Sequence, residues 1–494
     1  MELIIPVINF SSLYPEIIVA FFALTVLMLQ AFAPAYSKYF GYVSFVGVLA
    51  AALFVIYAPA AFDLRSVAYS FNDLWVVDNY CRFFKLIFLL GTGLTILISI
   101  SYAPNEGIQH GEYFALILFA TIGMMIMASG VDLIVIFLGL ELMSISLYVL
   151  CGITRGRMIS NESALKYFLL GSFATGFLLY GVALLYGSTG TTSLKGLSEI
   201  VMKTGLQGHI EILGMALLVI GFGFKIAAVP FHMWTPDVYQ GAPAPITAFM
   251  SAGPKAAAFA AFVRVFATAL PSLQNEWIVL IWILAVLTMT VGNIIALAQD
   301  NIKRMLAYSS IAHTGYVLVA FLAAGELGTA SILYYMLAYT FMNIGAFAII
   351  AVLGGKGEEK VNIQDFSGLG YSHPIAAVAM SLFLFSLAGI PPTAGFMGKF
   401  YIFSAAIQEG YLILAIIGVI NSVISVYYYL RVTVVMYMKE PAAILKSEAP
   451  AAAALVFSPA LVIAILISAY GVLRMGIFPS EYIIMVKQSF LALL

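Results

Sequence analysis

About fourteen stretches of this chain stay apolar for the length needed to cross a bilayer. A helix rises ~1.5 Å per residue, so about 20 apolar residues span the hydrocarbon. Runs of that kind occupy residues 13–32, 41–61, 83–101, 113–129, 133–151, 163–186, 210–233, 242–269, 277–298, 305–324, 328–353, 375–408, 412–436 and 455–475. They are apolar on every side rather than alternating, which excludes a transmembrane β-barrel. Only 9% of the residues are charged and 63% are hydrophobic. A soluble fold carries roughly a quarter charged residues, so most of this surface must meet lipid. The spacing predicts an all-α integral membrane protein. The first basic residue, Lys38, follows the first run. A cleaved signal peptide begins with basic residues, so that run reads as a retained span.

The composition also excludes several functions. With 22 basic and 23 acidic residues, the chain has no charge excess to bind nucleic acid. Two cysteines, Cys81 and Cys151, cannot supply the four thiolates of an ordinary iron–sulfur cluster. Residues 395–399 read GFMGK, which lacks the spacing of a phosphate-binding loop. Basic residues near the span ends set orientation. With the N-terminus outside, Lys38, Arg155, Arg157, Lys166, Lys303, Arg304, Lys356, Lys360, Arg431, Lys439 and Lys446 fall inside. Arg65, Arg82, Lys85, Lys195, Lys203, Arg264, Arg474 and Lys487 fall outside. The bias favours both termini on the outer, periplasmic side.

Lys225, Lys255 and Lys399 remain, all within apolar runs. A lysine near mid-membrane costs at least ~2.5–3.5 kcal/mol on insertion scales. Two of them share a local pattern, G-F-x-x-K, in GFGFK at 221–225 and GFMGK at 395–399. Gly221, Gly223 and Pro230 interrupt one run; Gly389, Pro391, Pro392, Gly395 and Gly398 interrupt the other. Glycine and proline release backbone groups from the helix ladder, and in lipid such a break survives only against protein or a wet cavity. Paired broken helices in two halves of a chain point to an ion site. The alternatives are two ordinary proline kinks and, for the lysines, snorkelling or static ion pairs.

Glu141 is the comparable acid, within IFLGLELMSISLYVL. Its most economical partner is one of the lysines, and Ser144, Ile145 and Tyr148 share its helix face. At ~4 Å and an effective dielectric of ~20, a Glu–Lys attraction is about 4 kcal/mol, falling to about 2.4 kcal/mol at ~7 Å. A small separation therefore helps a lysine release its proton, and reclosure recharges it. His313, inside LAYSSIAHTGYVLV, is a candidate proton relay, as is His232 beside Pro230; the alternative for each is a histidine satisfied by a carbonyl. His110, His209 and His373 fall in connections. One clear intramembrane histidine disfavours a bis-histidine haem.

Three stretches carry a family resemblance: VPFHMWTPDVYQGAPAPITAF at 229–249, QDNIKRMLAYSSIAHTGYVLVAF at 299–321 and AGIPPTAGFMGKFYIF at 388–403. The chain resembles the antiporter-like membrane subunits of respiratory complex I and their relatives, the multisubunit sodium/proton antiporters and membrane-bound hydrogenases. VYQGAP at 238–243 is typical of the family's N branch. The resemblance implies fourteen helices with two five-helix inverted repeats, each containing a broken helix. By count these are 111–272 and 273–438, after leading helices in 1–110 and before a last helix and short tail in 439–494. The family's charges match Glu141, Lys225, Lys255 and Lys399, a proton relay with Glu141 modulating Lys225. The resemblance further implies a bacterial inner-membrane subunit of a proton-translocating NADH–quinone oxidoreductase. It would have no cofactor of its own; NADH, FMN, iron–sulfur clusters and quinone would lie in partner subunits. Neighbouring antiporter-like and small helical subunits would be its partners. A cation/proton antiporter or hydrogenase subunit is the alternative, and a purely structural membrane subunit a third. The family's largest member carries a long lateral helix that this sequence lacks.

Overall fold

The computed structural model describes residues 9–57, 67–204, 209–323, 325–354, 360–440 and 457–490. Nineteen α-helices dominate them. In chain order they are α1 (Tyr14–Phe32), α2 (Phe40–Tyr57), α3 (Asn79–Glu106), α4 (Gly111–Ser129), α5 (Leu133–Cys151), α6 (Met158–Thr189), α7 (Leu194–Thr204), α8 (His209–Ile226), α9 (Trp234–Gly241) and α10 (Ala244–Thr268). There follow α11 (Gln274–Leu297), α12 (Ile302–Leu322), α13 (Glu326–Leu353), α14 (Leu369–Ser372), α15 (Pro374–Ala388), α16 (Ala394–Gln408), α17 (Leu412–Met438), α18 (Pro459–Ile477) and α19 (Pro479–Phe490). A small antiparallel hairpin, β1 (Ala68–Ser70) and β2 (Trp75–Val77), precedes α3 with Tyr69 opposite Val76.

Thirteen helices among the described residues are long and apolar enough to cross a membrane. They correspond to thirteen of the fourteen apolar runs. The remaining run, 375–408, is split into α15 and α16, each too short to count alone. The proline-and-glycine segment between them stops the ladder. Polar residues set other helix ends. The Asp78 carboxylate accepts from Cys81 N (2.7 Å) to start α3, and Asn301 accepts from Lys303 N and Arg304 N to start α12. Both satisfy amides that a first turn leaves unpaired.

The helices are layered by burial. α10 is buried along its length and α12 nearly so, whereas α1, α2, α6, α11 and α17 expose much of their apolar surface. Residues such as Phe173, Val423 and Ile413 therefore face outward, as a lipid-bathed rim requires. The central helices are the ones that carry Lys255 and His313.

Four basic residues assigned above to aqueous ends are buried instead. Lys85 pairs with Glu16 at 2.7 Å. Arg264 holds Asp78 through both guanidinium ends, at 2.9 and 3.1 Å. Arg82 donates to Asn79 (3.3 Å), and Lys303 to the Ala242 carbonyl (2.6 Å). A cation near the end of an apolar run can turn inward when a partner waits there, so these four say nothing about sidedness. Arg65, Lys356 and Lys446 lie outside the described residues.

Candidate functional site

The first break begins where α8 runs out at G-F-G-F-K-I. Ala227 takes φ +59° and the chain reverses through a cis Val229–Pro230 bond. Gly223 lets the loop return, since a Cβ there would lie 2.8 Å from the Phe231 ring. The released backbone groups find side chains. Ile226 O accepts from Thr314 Oγ1 (2.7 Å), Phe224 O from Trp234 Nε1 (3.0 Å), and Val229 N donates to Thr288 Oγ1 (3.0 Å). This is the internal satisfaction that a break in lipid demands.

Lys225 sits on the last turn of α8, buried. Its Nζ donates to Ser144 Oγ (2.8 Å) and Tyr148 OH (3.4 Å) on α5. The rings of Tyr148, Phe224 and Tyr167 face it at 5.5, 5.6 and 5.7 Å, a cage of ring faces that attracts a cation. Glu141 is half-buried one turn before Ser144. It is close enough to act on Lys225 electrostatically, yet among the described residues it makes no ion pair. In place of the direct Glu141–lysine partnership expected from the sequence, Lys225 takes the hydroxyls of Ser144 and Tyr148 as its partners. Glu141 Oε1 is buried without a hydrogen bond.

The second break places its lysine on the far side. α15 ends at Ala388, Gly389 takes φ +86°, and a cis Pro391–Pro392 bond leads into α16. Lys399 Nζ reaches back to Leu387 O (3.0 Å), Ala388 O (2.9 Å) and Ser422 Oγ (2.9 Å). The exposed carbonyls of a helix C-terminus carry partial negative charge and suit an ammonium. Tyr316 offers its ring at 5.0 Å.

Lys255 lies midway along α10. Its Nζ donates to both the carbonyl (2.9 Å) and the hydroxyl of Ser310, and more distantly to Thr314 Oγ1 (3.4 Å). Thr314 therefore touches Lys255 and the first break at once. One turn along α12, His313 bonds Tyr335 OH through Nδ1 and Tyr429 OH through Nε2 (3.0 Å). It is within electrostatic reach of both Lys255 and Lys399. Tyr428 OH donates to Asn293 Oδ1 (2.9 Å), and Asn293 Nδ2 to Tyr316 OH (3.2 Å), which returns to Lys399.

Thr314 thus lies between Lys255 and the backbone of the first break, and His313 lies within electrostatic reach of Lys255 and Lys399. The structure leaves His232 apart, half-buried in the first break with Nδ1 unbonded. Sequence reading passed over Ser310, Thr314, Tyr335, Tyr429 and Asn293. Their signal was available: hydroxyl and amide side chains inside otherwise apolar helices. Asp237, which receives Lys166 and Arg304 at 2.6 Å each and fastens α9 to α6 and α12, was also missed.

The sequence model of the NADH:quinone oxidoreductase/Mrp antiporter transmembrane family matches residues 130–425, a span that includes all four charges. The chain belongs to this family. NADH-quinone oxidoreductase subunit N of Trichlorobacter lovleyi is 53% identical over 98% of this chain and 97% of its own length. A chain of respiratory complex I from Thermus thermophilus superposes with TM-score 0.77 at 31% identity, covering 95% of this chain and 98% of that one. A chain of the membrane-bound sulfane sulfur reductase, an archaeal respiratory membrane complex, shares the fold with TM-score 0.86 at 24% identity, covering 98% of each. Within the family, lysines held this deep in apolar helices are the feature that needs a function.

Proposed function

We propose that this chain is a proton-translocating membrane subunit of an NADH–quinone oxidoreductase, with Glu141, Lys225, Lys255 and Lys399 as its relay. One observation carries the relay. The buried cations Lys85 and Arg264 each face a carboxylate, Glu16 and Asp78. Lys225, Lys255 and Lys399 face hydroxyls, ring faces and carbonyls instead. A carboxylate fixes its partner's charge, because losing the proton would strand a buried anion. Hydroxyl oxygens solvate an ammonium as acceptors and a neutral amine as donors, so these three sites tolerate both protonation states.

In this reading Glu141 modulates Lys225, and protons pass by way of Lys255 and His313 toward Lys399. NADH, FMN, iron–sulfur clusters and quinone belong to partner subunits. The neighbours are other antiporter-like and small helical subunits in a bacterial inner membrane. Residues 111–272 and 273–438 form the two inverted repeats around the breaks, the split run 375–408 supplies the fourteenth span, and both termini lie on the periplasmic side. Driving one charge against 100 mV costs about 2.3 kcal/mol, so the relay must be gated by the redox reaction elsewhere.

The test is a Lys225→Met/Lys399→Met double variant of the assembled complex in vesicles. Quinone reduction with proton translocation reduced at least about tenfold, the effect of ~1.4 kcal/mol on a rate, is the expected result. Full pumping would leave only a scaffold.

A further inference from the structure

The three buried lysines differ in where their side-chain partners come from. Lys225 takes both of its hydroxyls from α5, and Lys255 takes both of its own from α12. Lys399 takes its hydroxyl, Ser422 Oγ, from α17 and its ring, Tyr316, from α12. Two helices must therefore hold their places for the Lys399 site to stay whole.

Asn293, on a third helix, ties them together. It is fully buried, although α11 exposes much of its apolar surface. Gly292 brings α11 close to α12, since a Cβ there would lie 2.7 Å from Ala312 N. Asn293 Nδ2 donates to Met289 O (2.8 Å) and Tyr316 OH (3.2 Å) and, at longer range, to Asn421 Oδ1 (3.4 Å). Its Oδ1 accepts from Tyr428 OH (2.9 Å). The amide's orientation is set by these partners, because a flip would turn its oxygen against the Met289 carbonyl. Asn421 and Tyr428 belong to α17, and Asn421 immediately precedes Ser422.

Tyr316 is 1% exposed, and its ring meets Phe403 of α16 edge-on with centroids 5.9 Å apart. Asn293 holds the hydroxyl end of this side chain, while Lys399 Nζ lies over its ring. The Ser422 hydroxyl can serve a charged or a neutral lysine, but a ring face attracts only the ammonium. The placing of the ring therefore decides how firmly the charged form of Lys399 is held.

We propose that Asn293 is a positioning residue for Lys399, acting through Tyr316, whose ring it fixes against the ammonium while Asn421 and Tyr428 anchor the amide to α17. This rests on the relay reading above and adds a residue that tunes its terminal lysine from a helix carrying none of the relay charges. The rival role for such an amide is plain adhesion between membrane helices.

The experiment uses the assembled complex in vesicles, with Tyr316→Phe, Asn293→Leu, the two combined, and Lys399→Met. It reads protons translocated per electron, the KM for quinone and the yield of assembled complex. Tyr316→Phe keeps the ring but frees it from Asn293, and should lower translocation about fivefold with KM and assembly unchanged. Asn293→Leu should fall at least as far. The combined variant should fall no further than Asn293→Leu, because both substitutions cut the same bond. If Tyr316→Phe pumps fully while Lys399→Met stops pumping, Asn293 does not act through Tyr316 and the relay stands. If the combined variant shows the product of the two single losses, the amide is only adhesive and the proposal is overturned. If Lys399→Met itself pumps fully, the relay reading fails and this one with it. Should Asn293→Leu not assemble, the result with Tyr316→Phe decides alone.

Discussion

Lys255 on α10 is bound by Ser310 of α12 through both its carbonyl and its hydroxyl oxygen, with Thr314 of the same helix at a longer 3.4 Å. The carbonyl is fixed by the helix, but the hydroxyl can rotate. Only the hydroxyl can turn from acceptor to donor when the lysine loses its proton.

Ser310→Ala removes that freedom and keeps the carbonyl. A hydrogen bond to a charged group contributes ~1.5–3 kcal/mol, so proton translocation should slow by one to two orders of magnitude while the complex assembles. Proton uptake by vesicles during quinone reduction measures it. Unchanged uptake would show that the carbonyl suffices.

Tyr148 serves Lys225 twice, by its hydroxyl and by its ring. Tyr148→Phe keeps the ring and should cost pumping about threefold; Tyr148→Leu loses a ring worth ~0.5–2 kcal/mol besides and should cost about tenfold or more. Equal effects from the two substitutions would remove the ring from the account.

Gly389 is needed on two grounds. Its φ is +86°, and a Cβ would lie 3.0 Å from Lys399 Cδ. Gly389→Ala should therefore destabilise by about 1–2 kcal/mol and displace the ammonium from the Leu387 and Ala388 carbonyls. Thermal unfolding in detergent should fall together with pumping. Loss of stability with full pumping would place the lysine's position outside the relay.

The Asp78–Arg264 pair should behave as a structural clamp. Asp78→Asn leaves a buried guanidinium without its anion, which costs about 3–5 kcal/mol, and assembly yield should drop. Asp78→Asn/Arg264→Met removes both charges, keeps a capping side chain at the start of α3, and should recover assembly with normal protons per electron. A recovered complex that failed to pump would move this pair into the relay.

Glu141→Gln probes the unbonded carboxylate. Since Glu141 Oε1 has no partner to lose, stability should hold while pumping slows about tenfold, the effect of ~1.4 kcal/mol on the barrier. Equal transport would refute the modulating role.

Several of these positions could be read without coordinates. Lys225, Lys255 and Lys399 stand out because an ammonium is rare in an apolar run. The spacing of Glu141, Ser144 and Tyr148 placed the two hydroxyls that do receive Lys225. The breaks at 227–233 and 389–393 follow from where glycine and proline fall. Lys85, Arg264 and Lys303 were misread, since a cation near a span end looks alike whether it snorkels to water or turns toward Glu16, Asp78 or the Ala242 carbonyl.

The amino-acid order determined that this chain lies in a membrane, which helices break, and that the three mid-run lysines are buried, because burial cost and backbone chemistry are local properties. What only the tertiary structure decided is the company those charges keep. Glu16 meets Lys85 across 69 positions of chain and Lys255 meets Ser310 across 55, and no periodicity encodes such meetings. In the proposed relay, that choice of partner, carboxylate or hydroxyl, separates a fixed charge from one free to exchange its proton.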